Sequence, residues 1–418
     1  MQFGWKQILT IVLFITAVAL FGFMIFWFFI RPFFIPTETA IETTETGRLG
    51  PTTVNIDGRI YVLDEQGRLP SGQTIEEYAY TPVEDLGPAS QTAQGGLTKA
   101  TLTTPDLTYF STQNDSGDVI YYNQGDSRFY AIDSNGETSV YDDKAFYQVQ
   151  DVTWSNNRQK AILEYPDGSK ILYNFKTQEQ ITLPEHWEDF GFSPSDEQIG
   201  FKSMALDVEN RYLAIADING SEIRILERLG EKEDQFDVNW SPNNQIVATF
   251  NETKDYNRSN VYFIGQNNEN FLLMTVEGGG FEGIWSPDGK QMVYSVYNSA
   301  NDYKPELWVS DASPGNIGNN RRKLDITTWS DKCIFDSASS MYCAVPINLP
   351  YGAGLEPEAN EVKVINDQIY HINLNTGVKR LIAIPEGDHN VEHLMLNEQT
   401  NQLLFLDTND NRTYRIEL

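Results

Sequence analysis

Basic residues are scarce in this chain: 30 Lys and Arg stand against 59 Asp and Glu, a formal net charge of −29. Binding a polyanion requires a basic stripe, and the densest run, Arg321-Arg322-Lys323, is a short stretch in a turn. Nucleic acid is therefore excluded as a partner. The acidity suits an exported domain kept soluble and monomeric. Long helical periodicity is missing after residue 36, which excludes a helical solenoid. No G-x-S-x-G nucleophile elbow occurs, no α/β segment follows the last repeat, and the sialidase-type S-x-D-x-G box is absent. The histidines are His186, His371, His389 and His393, scattered along the chain. His371 falls in a strand pattern and reads as satisfied locally. His389 and His393 fall in loop and strand, where helical zinc spacing does not apply. Asn114–Asp118 and Asp407–Asn411 lack the register and terminal Glu of a calcium loop and read as ordinary turns. The Gly-rich Glu277–Gly280 precedes a strand, so it cannot form a phosphate-binding helix N-terminus and reads as a hinge. No catalytic residue, metal site or cofactor is expected.

Charge is also missing from Ile8 to Ile30, 23 residues rich in Phe, Leu and Ile. That run is long enough to cross a hydrocarbon core with some tilt. Trp5 and Trp27 suit the two interfaces, and Arg31-Pro32 stops the helix. No small-x-small cleavage site precedes the polar segment, so the stretch reads as a signal anchor rather than a removed leader. Lys6 and Arg31 on opposite sides give little orientation signal. The remainder, residues 37–418, carries 28 basic and 59 acidic side chains. Such a domain is expected outside, behind a cytoplasmic N-terminus. Residues 1–36 are thus the cytoplasmic tip and transmembrane anchor, and residues 37–98 an acidic Thr/Gly/Pro-rich stalk. Within the stalk, Ile60–Leu63 has strand character and follows the turn dipeptide Asp57-Gly58.

The rest of the chain repeats one unit. Its clearest copy is Trp285-Ser286-Pro287-Asp288-Gly289 followed by the alternating Met292–Val296. Ser286 opens a type I turn, Pro287 presets φ, and Gly289 accepts the left-handed conformation that closes a hairpin. Trp285 is large enough to wedge between neighbouring sheets. The other copies are Thr104-Pro105-Asp106, Trp154–Asn157, Phe192–Ser195, Trp240–Asn244, Phe335–Ala338 and Leu396–Glu398. Their spacings of 51, 38, 48, 45, 50 and 61 residues match one four-stranded propeller blade each. Aromatic strands ending in Asp or Asn follow the hairpins, as at Phe129–Asp133, Leu307–Asp311 and Ile369–Asn373. These are third strands; Ser139–Tyr141 and Arg380–Ile382 are fourth strands.

W-S-P-D-G, an alternating strand, then an aromatic strand ending in Asp resembles the TolB-type, WD-repeat-like β-propeller of bacterial envelope proteins. The resemblance covers about residues 100–418 and is strongest in the copies headed by Trp240 and Trp285. It implies a protein-binding scaffold in the periplasm or at the cell surface, and in some families the substrate-gating half of prolyl-oligopeptidase-like enzymes. The extra N-terminal domain of TolB proteins is not evident here.

The expected fold is therefore all-β: a seven-bladed β-propeller of four-stranded antiparallel blades over residues 99–418, one N-terminal transmembrane helix and a flexible stalk. The last unit supplies only Val391–Leu396, Leu403–Leu406 and Tyr414–Leu418, leaving an edge that exported proteins avoid. An N-terminal strand should complete it, with Ile60–Leu63 the first choice. In the sixth hairpin, pairing Phe335 with Met341 sets Cys333 opposite Cys343, close enough for a disulfide in an oxidising compartment.

The turn side of such a ring is short and uniform, while the loops after each second strand diverge: Asn251–Asn260, Tyr297–Pro305 and Pro346–Glu361. They supply Tyr256, Tyr297, Tyr303 and Tyr351 as rigid contact area, and Asp255, Asp302, Glu356 and Glu358 to steer a basic partner. The expected function is a membrane-anchored, extracytoplasmic, non-catalytic interaction scaffold of the cell envelope, its partner another envelope or surface protein. The alternative is a ligand- or sugar-binding protein or enzyme using the central pocket.

Overall fold

The computed structural model describes residues 53–56, 59–62, 87–355 and 366–418. The anchor expected at Ile8–Ile30 lies outside them. No helix among the described residues is long and apolar enough to cross a membrane. Two compact units divide the chain, residues 1–85 and 86–418. In the first, Thr53–Ile56 pairs antiparallel with Arg59–Val62 in a two-stranded sheet.

The second unit is a ring of seven antiparallel sheets. Blade one spans Tyr109–Asp142, blade two Asp151–Leu183, blade three Trp187–Arg228 and blade four Phe236–Val276. Blade five spans Gly279–Lys323, blade six Cys333–Pro385 and blade seven Val391–Glu417. First strands of neighbouring blades touch around the ring, so these are the inner strands that surround the axis. Side chains on the second strands are almost wholly buried between blades, for example Ile162, Phe201, Met292 and Leu403, while a third strand such as Arg258–Gly265 alternates, with Val261 buried and Tyr262 partly exposed. Burial on both faces explains why the second strands read as near-continuous apolar runs.

The tryptophan of the repeat has two jobs. Its ring fills the seam, and its indole N–H donates to the backbone of the preceding blade. Trp154 reaches the Phe110 carbonyl at 2.9 Å, Trp240 that of Gly191 at 3.1 Å, and Trp285 that of Asn239 at 3.3 Å. A Cβ on Gly200 would lie 2.9 Å from the Trp240 indole nitrogen, so the ring needs glycine beneath it. The repeat serine is equally constrained. Ser155, Ser193, Ser241 and Ser286 are fully buried. Each accepts, through Oγ, the backbone N–H five residues on, at 2.9–3.1 Å. The left-handed position that closes the turn is held by Arg158, Asp196, Asn244 and Gly289.

Two sequence expectations are corrected here. The first copy is not Thr104-Pro105-Asp106. The blade-one hairpin joins Tyr109–Gln113 to Val119–Asn123 through Asn114–Asp118. Asn114 Oδ1 accepts from Ser116 and Asp118 at 2.9 Å each, so the acidic turn is internally bonded. The strand that completes blade seven is not Ile60–Leu63, whose Ile60 pairs with Asn55. It is Thr101–Leu102, paired with Tyr414 and Arg415. Just before it, Gly96–Thr98 joins blade six as a fifth, parallel strand. Residues 87–98, expected in the stalk, thus belong to the ring and tie two blades together. A two-residue strand such as Thr101–Leu102 carries no periodicity for a sequence reading to find.

The disulfide is present between Cys333 and Cys343, with Cα atoms 4.1 Å apart. Its register is the expected one: Phe335 faces Met341, Ile334 faces Tyr342 and Cys333 faces Cys343.

Candidate functional site on the loop face

In each four-stranded blade the first-to-second and third-to-fourth turns share one face. The second-to-third loops and the blade-to-blade connections share the other. The loop face gathers three of the divergent segments into one cluster. Tyr256, on the blade-four loop, shares a hydrogen bond between phenols with Tyr303 of blade five. That bond is the main reason the Tyr303 phenol is pushed up to about 12. Tyr303 stands edge-on to Tyr351 of blade six, ring centroids 5.7 Å apart. The backbone N–H groups of Gly352 and Gly354 donate to the carbonyls of Asp302 and Tyr303 at 2.7 and 2.8 Å. Tyr256 and Tyr351 remain 80 % and 70 % exposed, so the cluster presents aromatic surface outwards.

The other predicted residues take different parts. Asp255 is held by Arg258 at 2.6 Å and is no free carboxylate, and Asp302 lies 3.6 Å from Lys304. Tyr297 turns inwards and lies over Gly279 and Gly280, where a Cβ on Gly280 would overlap its ring. Gly280 also has φ of 61°, a conformation that favours glycine. The Gly-rich segment expected as a hinge therefore also makes room for Tyr297. Glu356 and Glu358 lie outside the described residues.

Sequence reasoning missed a second group on this face. The inner strands enter from the loop face, so residues near their starts rim the axial mouth. Glu188 and Asp189 of blade three, Asp237 of blade four, Glu282 of blade five and Asp331 ahead of blade six all fall there. Each is reachable by water, yet protein encloses the site enough to penalise charge. Burial, then the negative charges of Asp331 and Asp237, push Glu282 up to about 7. Burial and the neighbouring Asp189 raise Asp237, opposed by Lys202. Burial raises Asp331 against the pull of Lys332 and His393.

Backbone bulges aim several of these groups. Asp189 and His393 sit in inner-strand irregularities with φ of 54° and 44°. At the first, Asp189 reaches Lys202 at 2.8 Å. Such left-handed non-glycine residues are costly and persist only where the surroundings enforce them. The only sequence signal for this rim is an acidic residue near the start of the inner strands of blades three to six, which alternation alone cannot place.

His371, His389 and the acidic turns are satisfied in place, while His186 lies exposed. His371 bonds Asp336 at 3.0 Å and packs on Tyr342. His389 is buried, with Nδ1 2.7 Å from Asp407 and Nε2 3.0 Å from the Glu386 carbonyl. Both ring nitrogens face acceptors, and against the effect of burial the hydrogen bonds to Asp407 and the Glu386 carbonyl raise the His389 pKa. No cluster of three or more metal-ligating side chains occurs among the described residues.

This architecture defines a class: the chain is a seven-bladed β-propeller. Among solved structures it is similar to the tricorn protease, with TM-score 0.51, 10 % identity, and coverage of 88 % of this chain and 37 % of that one. It is also similar to an oligogalacturonate lyase in complex with manganese, with TM-score 0.50, 13 % identity and coverage of 79 % and 96 %. The β-propeller domain of Cps50 (Swd1) from Myceliophteria thermophila gives TM-score 0.51, 9 % identity and coverage of 76 % and 99 %. The chain thus spans little more than a third of the protease's length, and identities this low show the fold alone. No protein-family model matches the sequence, and no curated protein matches it.

Proposed function

We propose that this protein is a membrane-anchored, extracytoplasmic interaction scaffold of the bacterial envelope, a non-catalytic propeller of TolB type that docks another envelope or surface protein. The observation that carries the reading is the joining of three divergent loops into one exposed tyrosine cluster, Tyr256, Tyr303 and Tyr351. Rigid aromatic surface of this kind is what partner-binding hot spots use. The acidic axial rim on the same face, in a chain of net charge −29, favours a basic partner surface. The anchor is Ile8–Ile30, with the N-terminus in the cytoplasm.

Crosslinking and pull-down from intact membranes tests the docking face. Replacing Tyr256, Tyr303 and Tyr351 by Ser should abolish capture of the partner while the ring stays folded. Unchanged capture, with loss on altering the opposite turns, would place the interface on the wrong side. Protease added to spheroplasts should digest the propeller if the topology is as proposed.

The second reading, an enzyme or ligand-binding protein working at the axis, is favoured by one observation. Glu282, poised near 7, has the proton affinity that acid–base chemistry uses. Turnover of a small substrate that Glu282→Gln eliminates would support it over the scaffold.

A further inference from the structure

Between blades five and six the loop face opens into a cavity of about 330 Å³. Its walls include Phe281, Tyr297, Trp329 and Leu355, and among the described residues its one acidic residue is Glu282. The pocket is built by specific contacts. Ser330 Oγ donates to the Glu282 carbonyl at 2.9 Å and thereby sets Trp329 beside that strand. A Cβ on Gly354 would lie 2.7 Å from that of Tyr297, so only glycine lets the blade-six loop close over the tyrosine. Among the described residues, no Lys, Arg or His lies within ion-pair distance of Glu282, and none donates a hydrogen bond to its carboxylate. The nearby cation Lys332 is committed elsewhere, to Asp367 at 2.8 Å and Asn390 at 2.9 Å.

We propose that this pocket receives a single basic side chain, the ammonium of a lysine or the guanidinium of an arginine projecting from the docked partner. Aromatic and aliphatic walls suit the methylene stem, and the carboxylate with its aromatic neighbours suits the charged head. The volume is at the low end for small-ligand sites, too small for a folded element and ample for one long side chain. Asp237 and Asp331, which interact electrostatically with Glu282, repel an anion and leave a neutral group nothing to neutralise. The inference rests on the docking reading and names what that face selects.

Binding has a proton balance. Protonated Glu282 meeting an alkylammonium gives a carboxylate–ammonium pair and releases one proton to solvent. Because the carboxyl is poised at about 7, release is substantial at neutral pH and vanishes well above it.

The test is calorimetry on the full chain in detergent micelles with n-butylammonium and n-butylguanidinium, using butanol and butyrate as controls. Expected are binding of the two cations only, affinity rising with pH through about 7, and heats that depend on the buffer's own ionisation. Glu282→Gln should weaken cation binding about ten- to a hundredfold and remove the proton release. Equal binding of butanol, no proton release by the wild-type chain at pH 7, or full affinity in a folded Glu282→Gln variant would each overturn the proposal. The proton-release measurement needs no variant, so a misfolded mutant cannot hide the answer. Tyrosine-dependent partner capture without cation binding overturns the pocket and leaves the docking face standing. Cation binding with tyrosine-independent capture overturns the docking face, and with it the partner as source of the basic group.

Discussion

The two faces of the ring solve different problems. On the turn face, the buried serines, indole donors and left-handed closing residues pair most of the repeat's own polar groups, although Arg158 Nε and Asp336 Oδ1 are buried without a partner. Asp196 of blade three, for example, accepts from the backbone of Asn156 at 2.7 Å and of Asn157 at 2.9 Å in blade two. On the loop face, phenols stand exposed, carboxylates crowd without enough cations, and a cavity stays open. Where structure alone sets the residues, polar groups are paired locally. Where carboxylates crowd within reach of water, their charge is available to a basic partner surface. The contrast between saturated and unsaturated faces is the main reason for reading one as scaffold and the other as site.

The contrast can be tested by substitution. Trp240→Ala on the turn side removes both the seam filler and its bond to Gly191, and should cost about 3–5 kcal/mol in urea unfolding. A loss below about 1 kcal/mol would mean the turn face is not where stability is concentrated. Removing the disulfide by Cys333→Ala with Cys343→Ala should cost about 2–3 kcal/mol or less, because the closed loop is short. Two free thiols in the freshly isolated folded protein would also remove part of the case for an extracytoplasmic location.

Ser286→Ala strands the Gln291 N–H and should cost about 1–3 kcal/mol, with the partner still bound. By contrast, Ser at Tyr256 and Tyr351 should change stability by about 0.5 kcal/mol or less each while binding is lost. Stability loss comparable to the Ser286 variant would erase the distinction between the faces.

One segment of the loop face breaks the pattern and sharpens it. The connection Glu386–Asn390 is heavily bonded through His389. Burial by itself would lower the His389 pKa, but its hydrogen bonds to Asp407 and to the Glu386 carbonyl outweigh burial and raise it. A raised histidine contributes its stability fully below the unfolded value of about 6.5, and loses it as pH rises through the folded value. Wild type should therefore lose stability relative to His389→Gln on going from mildly acidic to alkaline solution. A difference between the two proteins that stays flat with pH would mean His389 is not held as an imidazolium. Because the Glu386 N–H also donates to Thr98 at 2.8 Å, the same region anchors the N-terminal residues that complete the ring.

Local chemistry made much of the fold readable from residues alone. Six of the seven hairpin turns, the third strands and the Cys333–Cys343 register follow from turn propensity and from alternation with period two, which act within a few residues. The gathering of Tyr256, Tyr303 and Tyr351 on one face also followed, since topology fixes which loops share an end. Other features needed the closed ring. Thr101–Leu102 closes blade seven because the first and last strands of the ring meet there, a fact about residues 310 or more positions apart and not about either segment. The blade-one turn was misplaced for a related reason: Thr104-Pro105-Asp106 carries turn chemistry, but only pairing to Val119–Asn123 decides which turn joins strands. The acidic rim at Glu282, Asp237 and Asp331 is the furthest from the sequence. Each carboxylate comes from a different stretch of chain, and their mutual repulsion and shared desolvation exist only once the blades have brought them around one axis.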